Sequence, residues 1–274
     1  MRRVLICAVI AVSFLFVTAA YAQSSKFAAT YDTDTRWVQV QAGVGSSLCA
    51  VYNGKIYCAK KSRPAAEAEV ATLHVAQWKE IFGQMSAQVE LLTFTQAKGK
   101  NGGGTTTAIA DGTVRGGMVV VPQGAWVPGS CGAYFGIYDE GQVNPFAAPG
   151  PVTFASRAQE LSVTVDLDVV GAIPECDAQC IEDNLGIEGS VTVALGLDTV
   201  AAHSFQFIAD DLASGYYDVV ACYDLSAFAQ VIGDVGYLDS GSVAMSKVVL
   251  GPRIITAQEV RATNTGVIDE TGID

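Results

Sequence analysis

Histidine is almost absent from this chain of 274 residues, which contains only His74 and His203. Catalytic triads of the Ser-His-Asp or Cys-His type need a histidine beside an activated nucleophile. His203 shares one face of a predicted strand with Phe205 and Phe207, so we interpret it as a structural residue of the core. We interpret His74 in the same way, although it lies in a segment of ambiguous structure. We therefore assign no catalytic residue.

Basic residues are also scarce, because 16 lysines and arginines stand against 28 carboxylates, and the formal net charge is −12. An acidic surface repels phosphate backbones and anionic lipids, so we expect no nucleic-acid partner. Beyond residue 22 the chain has no apolar run long enough for a transmembrane helix. We therefore expect no membrane span in the mature chain, and the oligomeric state stays open.

The N-terminus has the pattern of a secretory signal peptide. Two arginines follow Met1, residues 4–17 are apolar, and Ala20-Tyr21-Ala22 supplies the small residues of a cleavage site. We predict a signal peptide over residues 1–22, export to the periplasm or the extracellular space, and one domain over residues 23–274.

The cysteines suggest disulfides in an oxidising compartment. Of seven cysteines, only Cys7 lies in the predicted signal peptide, which leaves six. In "SLCAVYNGKIYCAK", Asn53-Gly54 favours a two-residue type I′ hairpin turn, because both residues tolerate positive φ. The resulting register places Cys49 opposite Cys58 in a non-hydrogen-bonded pair, within disulfide range.

Three pairings of the remaining cysteines are then possible. We favour Cys176 with Cys180, which lie close together in "ECDAQC", and this leaves Cys131 with Cys222 by elimination. A zinc site at "CDAQC" is disfavoured because no second ligand pair lies nearby and oxidation would consume the thiols. The sequence also lacks an EF-hand loop, so we expect no metal and no cofactor.

Alternating polar and apolar residues dominate the rest of the chain. In "QELSVTVDLDVV", for example, every second residue is apolar, which predicts an antiparallel strand with one buried face. About ten such strands, separated by Gly, Asp and Pro turns, are typical of an all-β sandwich or barrel with little helix. Residues 65–78 could form a helix, but we favour a strand at Ala71–Ala76. The Gly- and Pro-rich run at about 127–151 is interpreted as a long surface loop.

Several segments resemble one group of proteins. The stretch "VAAHSFQFIADDLASGYYDVV", together with "KGKNGGGTTTAIADG", "APGPVTFASRAQELS" and "VVLGPRIITAQEVRAT", is similar to exported prokaryotic β-sandwich proteins of uncharacterised function. The resemblance covers roughly residues 70–262. It implies a jelly-roll-like antiparallel sandwich, and it implies nothing about catalysis.

Four aromatic residues form the candidate binding site, namely Trp126, Tyr134, Phe135 and Tyr138. Flat rings in a loop suit sugar stacking or a protein partner, whereas the simpler alternative is that they cover one edge of the core. The main hypothesis is thus a non-catalytic exported protein that binds a glycan, an envelope component or a protein, or that has a structural role.

The alternative hypothesis is a secreted hydrolase of the glycosidase type, which needs two carboxyl groups across a sugar cleft. Asp166 and Asp168 share a strand face with suitable spacing, and Asp210-Asp211 and Glu182-Asp183 lie in loops. Solvated strand faces and turn-forming aspartates explain these residues more simply.

These observations predict that the exported protein begins near Gln23 and has no free thiol. Mass spectrometry of exported material, before and after reduction, should show the mass gain of three reduced disulfides. Two or more cysteines that can be alkylated without reduction would contradict the prediction.

Overall fold

The computed structural model describes residues 27–45, 48–76, 79–100, 104–164, 190–235, 238 and 241–260. These residues form eleven strands and one helix. The elements are β1 (Phe27–Asp32), β2 (Arg36–Gly43), β3 (Cys49–Tyr52), β4 (Lys55–Ser62), β5 (Ala65–Val75), β6 (Glu80–Lys100), β7 (Thr105–Pro122), α1 (Cys131–Asp139), β8 (Val152–Thr164), β9 (Ser190–Ala209), β10 (Gly215–Asp234) and β11 (Val243–Val260).

The strands form two antiparallel sheets. In sheet A the order is β1-β11-β6-β9, with β2 also paired to β11, and in sheet B it is β3-β4-β10-β7-β8, with β5 also paired to β10. Strands β1 and β2 share one edge of β11, and β4 and β5 share one edge of β10.

We count β1 and β2 together as one strand position, and β4 and β5 together as another. Leaving the added edge strand β3 out of the count, the two sheets then have eight strand positions. Their order is first-eighth-third-sixth in sheet A and second-seventh-fourth-fifth in sheet B, which is the arrangement of a jelly roll. The predicted fold class is confirmed.

The core lies between the inner faces of the two sheets, where apolar side chains alternate along each strand. On β10 the inward positions include Val219, Ala221 and Tyr223, as the sequence pattern predicted. Phe207 on β9 is fully buried, but His203 on the same face is only partly buried. The core interpretation therefore holds for the phenylalanine and only in part for the histidine.

A β-bulge divides β11 into two halves. The pairing with β6 shifts between Leu250 and Arg253, so the residues that face the core change from even to odd numbers at Gly251-Pro252. The bulge turns Arg253 inward, where it is 1% exposed and donates to a side-chain oxygen of Asp32. This contact ties the end of β1 to the middle of β11.

The predicted hairpin is confirmed in register and turn type. Asn53 and Gly54 have φ values of 47° and 72°, and Cys49 pairs with Cys58, to which it is joined by a disulfide. The hairpin is not an appendage, however, because β4 pairs with β10 along its whole length. Of the two hairpin strands, only β3 lies at the edge of the sheet.

Two segments differ from their sequence interpretation in extent or type. The ambiguous segment is a strand, as favoured, but it runs over the whole of β5. The Gly- and Pro-rich run, interpreted as a loop, contains the nine-residue helix α1. The predicted pair Cys176 and Cys180, the signal peptide and residues 166–168 lie outside the described residues.

The pairing of β4 with β10 makes a prediction about the hairpin disulfide. The double variant Cys49→Ala with Cys58→Ala should lose about 2 to 3 kcal/mol of unfolding free energy, as expected for a short disulfide loop. Hydrogen exchange should accelerate at Ala50–Tyr52 and stay slow at Ile56–Lys61, because β4 keeps its ladder to β10. Equal acceleration in both strands would contradict the assignment of β4 to the sheet.

Candidate functional site

Residues 123–150, called here the crossing segment, cover part of the outer face of sheet B and contain α1. The segment is fastened to alternate outward positions of β10. The backbone N–H of Gly124 donates to Asp218 Oδ2 at 2.7 Å, and a disulfide joins Cys131, at the start of α1, to Cys222. This is the pairing that elimination gave. Ala148 then forms a bridge with Ile208 of sheet A.

The four predicted site residues come together around Phe146. The rings of Phe135, Tyr138 and Tyr134 have their centroids 4.9, 6.2 and 6.4 Å from that of Phe146. Trp126 stacks on Tyr134 at 5.6 Å with an interplanar angle of 16°. These five side chains are called the aromatic cluster.

The members of the aromatic cluster differ in exposure. Phe135 is 1% exposed and packs with Val119 and Val220 of sheet B, so it supports the surface without forming it. Trp126, Tyr134 and Tyr138 are only partly buried and remain accessible. The cluster therefore has both expected properties, since it covers part of the sheet and presents rings to solvent.

A glycine allows the cluster to approach the sheet. A Cβ atom on Gly117 of β7 would lie 2.6 Å from a ring carbon of Phe146, closer than real Cβ contacts. The absence of a side chain at this position is thus what lets Phe146 lie directly on sheet B.

Four charged residues, called the charge clamp, hold the end of α1. Asp224 of β10 accepts hydrogen bonds from Arg63 Nε, at 2.9 Å to both oxygens, and from Arg115 Nη2 at 2.7 Å. Asp139, the last residue of α1, accepts from Arg115 Nη1 at 2.8 Å and from Arg63 Nη2 at 2.6 Å. Each carboxylate therefore binds both guanidinium groups.

These contacts shift the ionisation of the clamp. Hydrogen bonds from Arg115 and then from Arg63 lower the pKa of Asp139 from 3.8 to about 2. Hydrogen bonds to the two carboxylates raise the pKa of both arginines, against the opposing effect of burial. Asp139 and the two arginines are thus charged across the physiological pH range.

A depression of about 350 Å³ opens beside the clamp on the outer face of sheet B. Its lining adds Lys61, Asp111, Thr113, Ser226 and Phe228 to the four clamp residues. The guanidinium of Arg115 also lies over the ring of Phe135, 5.2 Å from its centroid, so the depression adjoins the aromatic cluster. The depression and the exposed rings of the cluster are called the helix patch.

Sequence reasoning found the aromatic residues but missed the charge clamp. Its residues are separated by up to 161 positions, and only the fold brings them together. One signal of the covering segment was present, because the outward positions of β10 include Val220 and Cys222, which are unusual in a strand with a solvated face.

The other candidates are placed elsewhere. His74 lies edge-on to Tyr216, with the ring centroids 4.7 Å apart. Asp210-Asp211 follows β9, and Asp211 has a φ of 54°, as in a turn. The remaining carboxylate candidates, residues 166–168 and 182–183, lie outside the described residues.

The described residues contain no group of three or more histidine, cysteine or acidic side chains arranged to hold a metal ion. In the same part of the chain, no helix has the length and apolarity needed to cross a membrane.

Comparison with known proteins gives no family. No family model matches the chain, and no curated protein matches it. Among solved structures, Merkel cell polyomavirus VP1 in complex with disialyllactose is 9% identical, with coverage of 82% of this chain and 96% of that chain and a TM-score of 0.23. Apo New Jersey polyomavirus VP1 is also 9% identical, with coverage of 81% and 99% and a TM-score of 0.18. Scores this low carry no argument, so the jelly-roll assignment rests on the strand order.

The clamp predicts how stability depends on pH. Folding lowers the pKa of Asp139 from 3.8 to about 2. The stabilisation of the folded state by its ionised carboxylate is therefore complete above about pH 4 and is lost as the pH falls through about 2. Asp139→Asn should cost up to about 1 kcal/mol at pH 7, as for a partly exposed ion pair. Denaturant unfolding should show that the difference in unfolding free energy between the unmodified protein and Asp139→Asn is smaller near pH 2 than at pH 7.

Asp224→Asn provides the comparison, because this side chain is 5% exposed. Removing this buried carboxylate leaves the positive charges of two arginines without their main partner. We therefore expect a larger loss of unfolding free energy, about 3 kcal/mol at pH 7. An Asp139→Asn effect that is equal at both pH values would show that the ionised carboxylate does not hold α1.

Proposed function

We propose that this is an exported, non-catalytic binding protein whose helix patch binds a glycan. The observation that carries the proposal is the position of partly exposed, stacked rings near a polar depression on the outer face of sheet B. The coarser conclusion, a β-sandwich with disulfides that is suited to a binding or structural role, already follows from the fold and the geometry.

The stacked pair offers one half of a sugar site. Trp126 and Tyr134 are stacked on each other and partly exposed, so an outer ring face of the pair offers a flat apolar surface. Pyranose rings have an apolar face of C–H groups that packs well on such surfaces, and indole and phenol groups tolerate contact with water. Tyr138, which packs edge-on against Phe146, directly precedes Asp139 at the edge of the depression.

The depression offers the other half. Sugar hydroxyls both donate and accept hydrogen bonds, and the depression provides both partners through Lys61, Thr113, Ser226 and Asp111. Its volume of about 350 Å³ is at the small end of ligand pockets. Tyr134 and Asp139 are five residues apart on α1, or about 7.5 Å along the helix axis, so one oligosaccharide can contact both halves.

The patch is held rigidly before any ligand arrives. The disulfide at Cys131 fixes the start of α1, and the charge clamp fixes its end. A preformed site loses little conformational entropy on binding, which favours affinity.

The charge clamp counts against hydrolysis at this patch. A glycosidase acid needs a carboxyl group whose pKa is raised toward neutrality. Hydrogen bonds from two arginines instead lower the pKa of Asp139 to about 2, so it cannot donate a proton near pH 7. Asp224 is occupied by the same two arginines.

Export is part of the proposal. The charged and apolar start of the chain, its cleavage-site residues and the resemblance to exported prokaryotic β-sandwich proteins all favour it. The disulfides Cys49–Cys58 and Cys131–Cys222 are consistent with an oxidising compartment.

The test is an array of neutral and acidic oligosaccharides, followed by calorimetric titration of each hit. Trp126→Ala should weaken binding about tenfold or more, equivalent to about 1.4 kcal/mol. Lys61→Ala, which alters the depression but not the aromatic cluster, should weaken it as well. Tyr52→Ala is the control, because Tyr52 is an exposed aromatic residue at the turn end of the hairpin, where it pairs with Lys55, six residues along β4 from Lys61.

Binding that survives both Trp126→Ala and Lys61→Ala, or an array without hits, would refute the helix patch as a glycan site. Hydrolysis of an oligosaccharide by the unmodified protein would favour the secreted hydrolase.

A further inference from the structure

Most of the outer face of sheet A, on the opposite side of the molecule from the helix patch, is electrically neutral. Between Phe82 and Lys98 of β6, and at the paired positions of β9 and β11, the outward charged residues are Glu90, Lys98, Asp198 and Lys247. Two are acidic and two basic, and Glu90 and Lys247 form an ion pair at 3.6 Å. A chain of net charge −12 therefore has a large area of its surface, bounded by Phe82 and Lys98 of β6, without net charge.

Within these bounds, the half of the face beyond the β-bulge has no charged side chain, and the next outward row, past Phe82 and Ile208, contains Glu80 and Asp210. The outward residues of the uncharged half form cross-strand rows through β1, β11, β6 and β9. The rows are Tyr31-Ile254-Ser86-Ser204, Ala29-Thr256-Gln84-Gln206 and Phe27-Gln258-Phe82-Ile208. Apolar groups alternate here with hydroxyl and amide groups, which can both donate and accept hydrogen bonds.

This half also contains a projection beside a hollow. Tyr31 is 62% exposed, and it borders a depression of about 380 Å³ that is lined mainly by apolar atoms, including those of Pro252 and Ile254. Phe27 and Trp37 project from the same edge. A surface with a projection next to a hollow can be complementary to itself, which is the requirement of a twofold interface.

The area of the face is sufficient for a dimer. Seventeen residues of β6 at about 3.4 Å each, and four strand positions at about 4.8 Å each, give a face of about 58 by 19 Å, or about 1,100 Å². A stable interface needs about 800 Å² from each partner. The uncharged half alone would cover less than this, so the other half, with its balanced charges and the ion pair Glu90–Lys247, belongs to the interface.

We propose that the occupant of this face is a second copy of the same chain, related by a twofold axis. Acidic surfaces of two copies repel each other, and the neutral face of sheet A is where they can meet without that repulsion. Tyr31 of each copy then enters the depression of the other. The two helix patches face outward on opposite sides, although the dimer does not depend on their function.

The test is sedimentation velocity of the exported protein from about 1 to 500 μM, compared with two variants. Tyr31→Glu removes the projection and adds a charge. Gln206→Glu adds only a charge, at an exposed position that does not affect folding. Like charges brought together at an interface cost enough to raise the dissociation constant at least about tenfold, so both variants should be monomeric at concentrations where the unmodified protein is dimeric.

The matched control is Tyr52→Glu, because Tyr52 is 68% exposed but lies on the β3 edge of sheet B. It should leave the dimer unchanged. An unmodified protein that is monomeric at every concentration would overturn the proposal, and so would a dimer that Tyr52→Glu dissociates or that Gln206→Glu leaves intact. A monomer that binds neutral oligosaccharides in a Tyr31-dependent way would assign the face to a sugar instead.

Discussion

Strand β10 is buried on both faces from Asp218 to Leu225, and most of the molecule is organised around this constraint. One face belongs to the core between the sheets. The other would be solvated in an ordinary two-layer sandwich, but here it contains Val220 and Cys222, which must be covered. The crossing segment provides the cover, so the helix patch exists because β10 needs a second layer.

The polar contacts under the crossing segment determine its position. Apolar burial of Phe135 and Phe146 is favourable but has little directionality. Asp218 and Asp224 are nearly buried carboxylates, and each costs free energy unless specific donors are placed around it. Asp218 accepts from Thr72 and from the backbone of Gly124, and Asp224 accepts from two arginines. These requirements leave one position for the segment.

The sequence predicts local features well and distant ones poorly. The hairpin register follows from Asn53-Gly54 because a two-residue turn determines the pairing of its neighbours. Alternation predicts the strands because burial of one face imposes a period of two residues. The helix was missed since Gly132 and Gly136 weaken its intrinsic propensity, and its disulfide and clamp connect it to residues far away in the chain. The clamp was missed for the same reason.

The edges of the sandwich also determine where a partner can bind. Gln159 of β8 reaches across to sheet A, where it accepts from Thr93 and donates to Thr95 and to the backbone of Leu195, each at 2.7 Å. Arg157 donates to the backbone of Leu91 on the same side. These side chains therefore bridge the two sheets beside β8 and β9. Of the two outer faces, that of sheet B is covered in part by the crossing segment and that of sheet A is left uncovered by the described chain, so both faces leave surface for recognition.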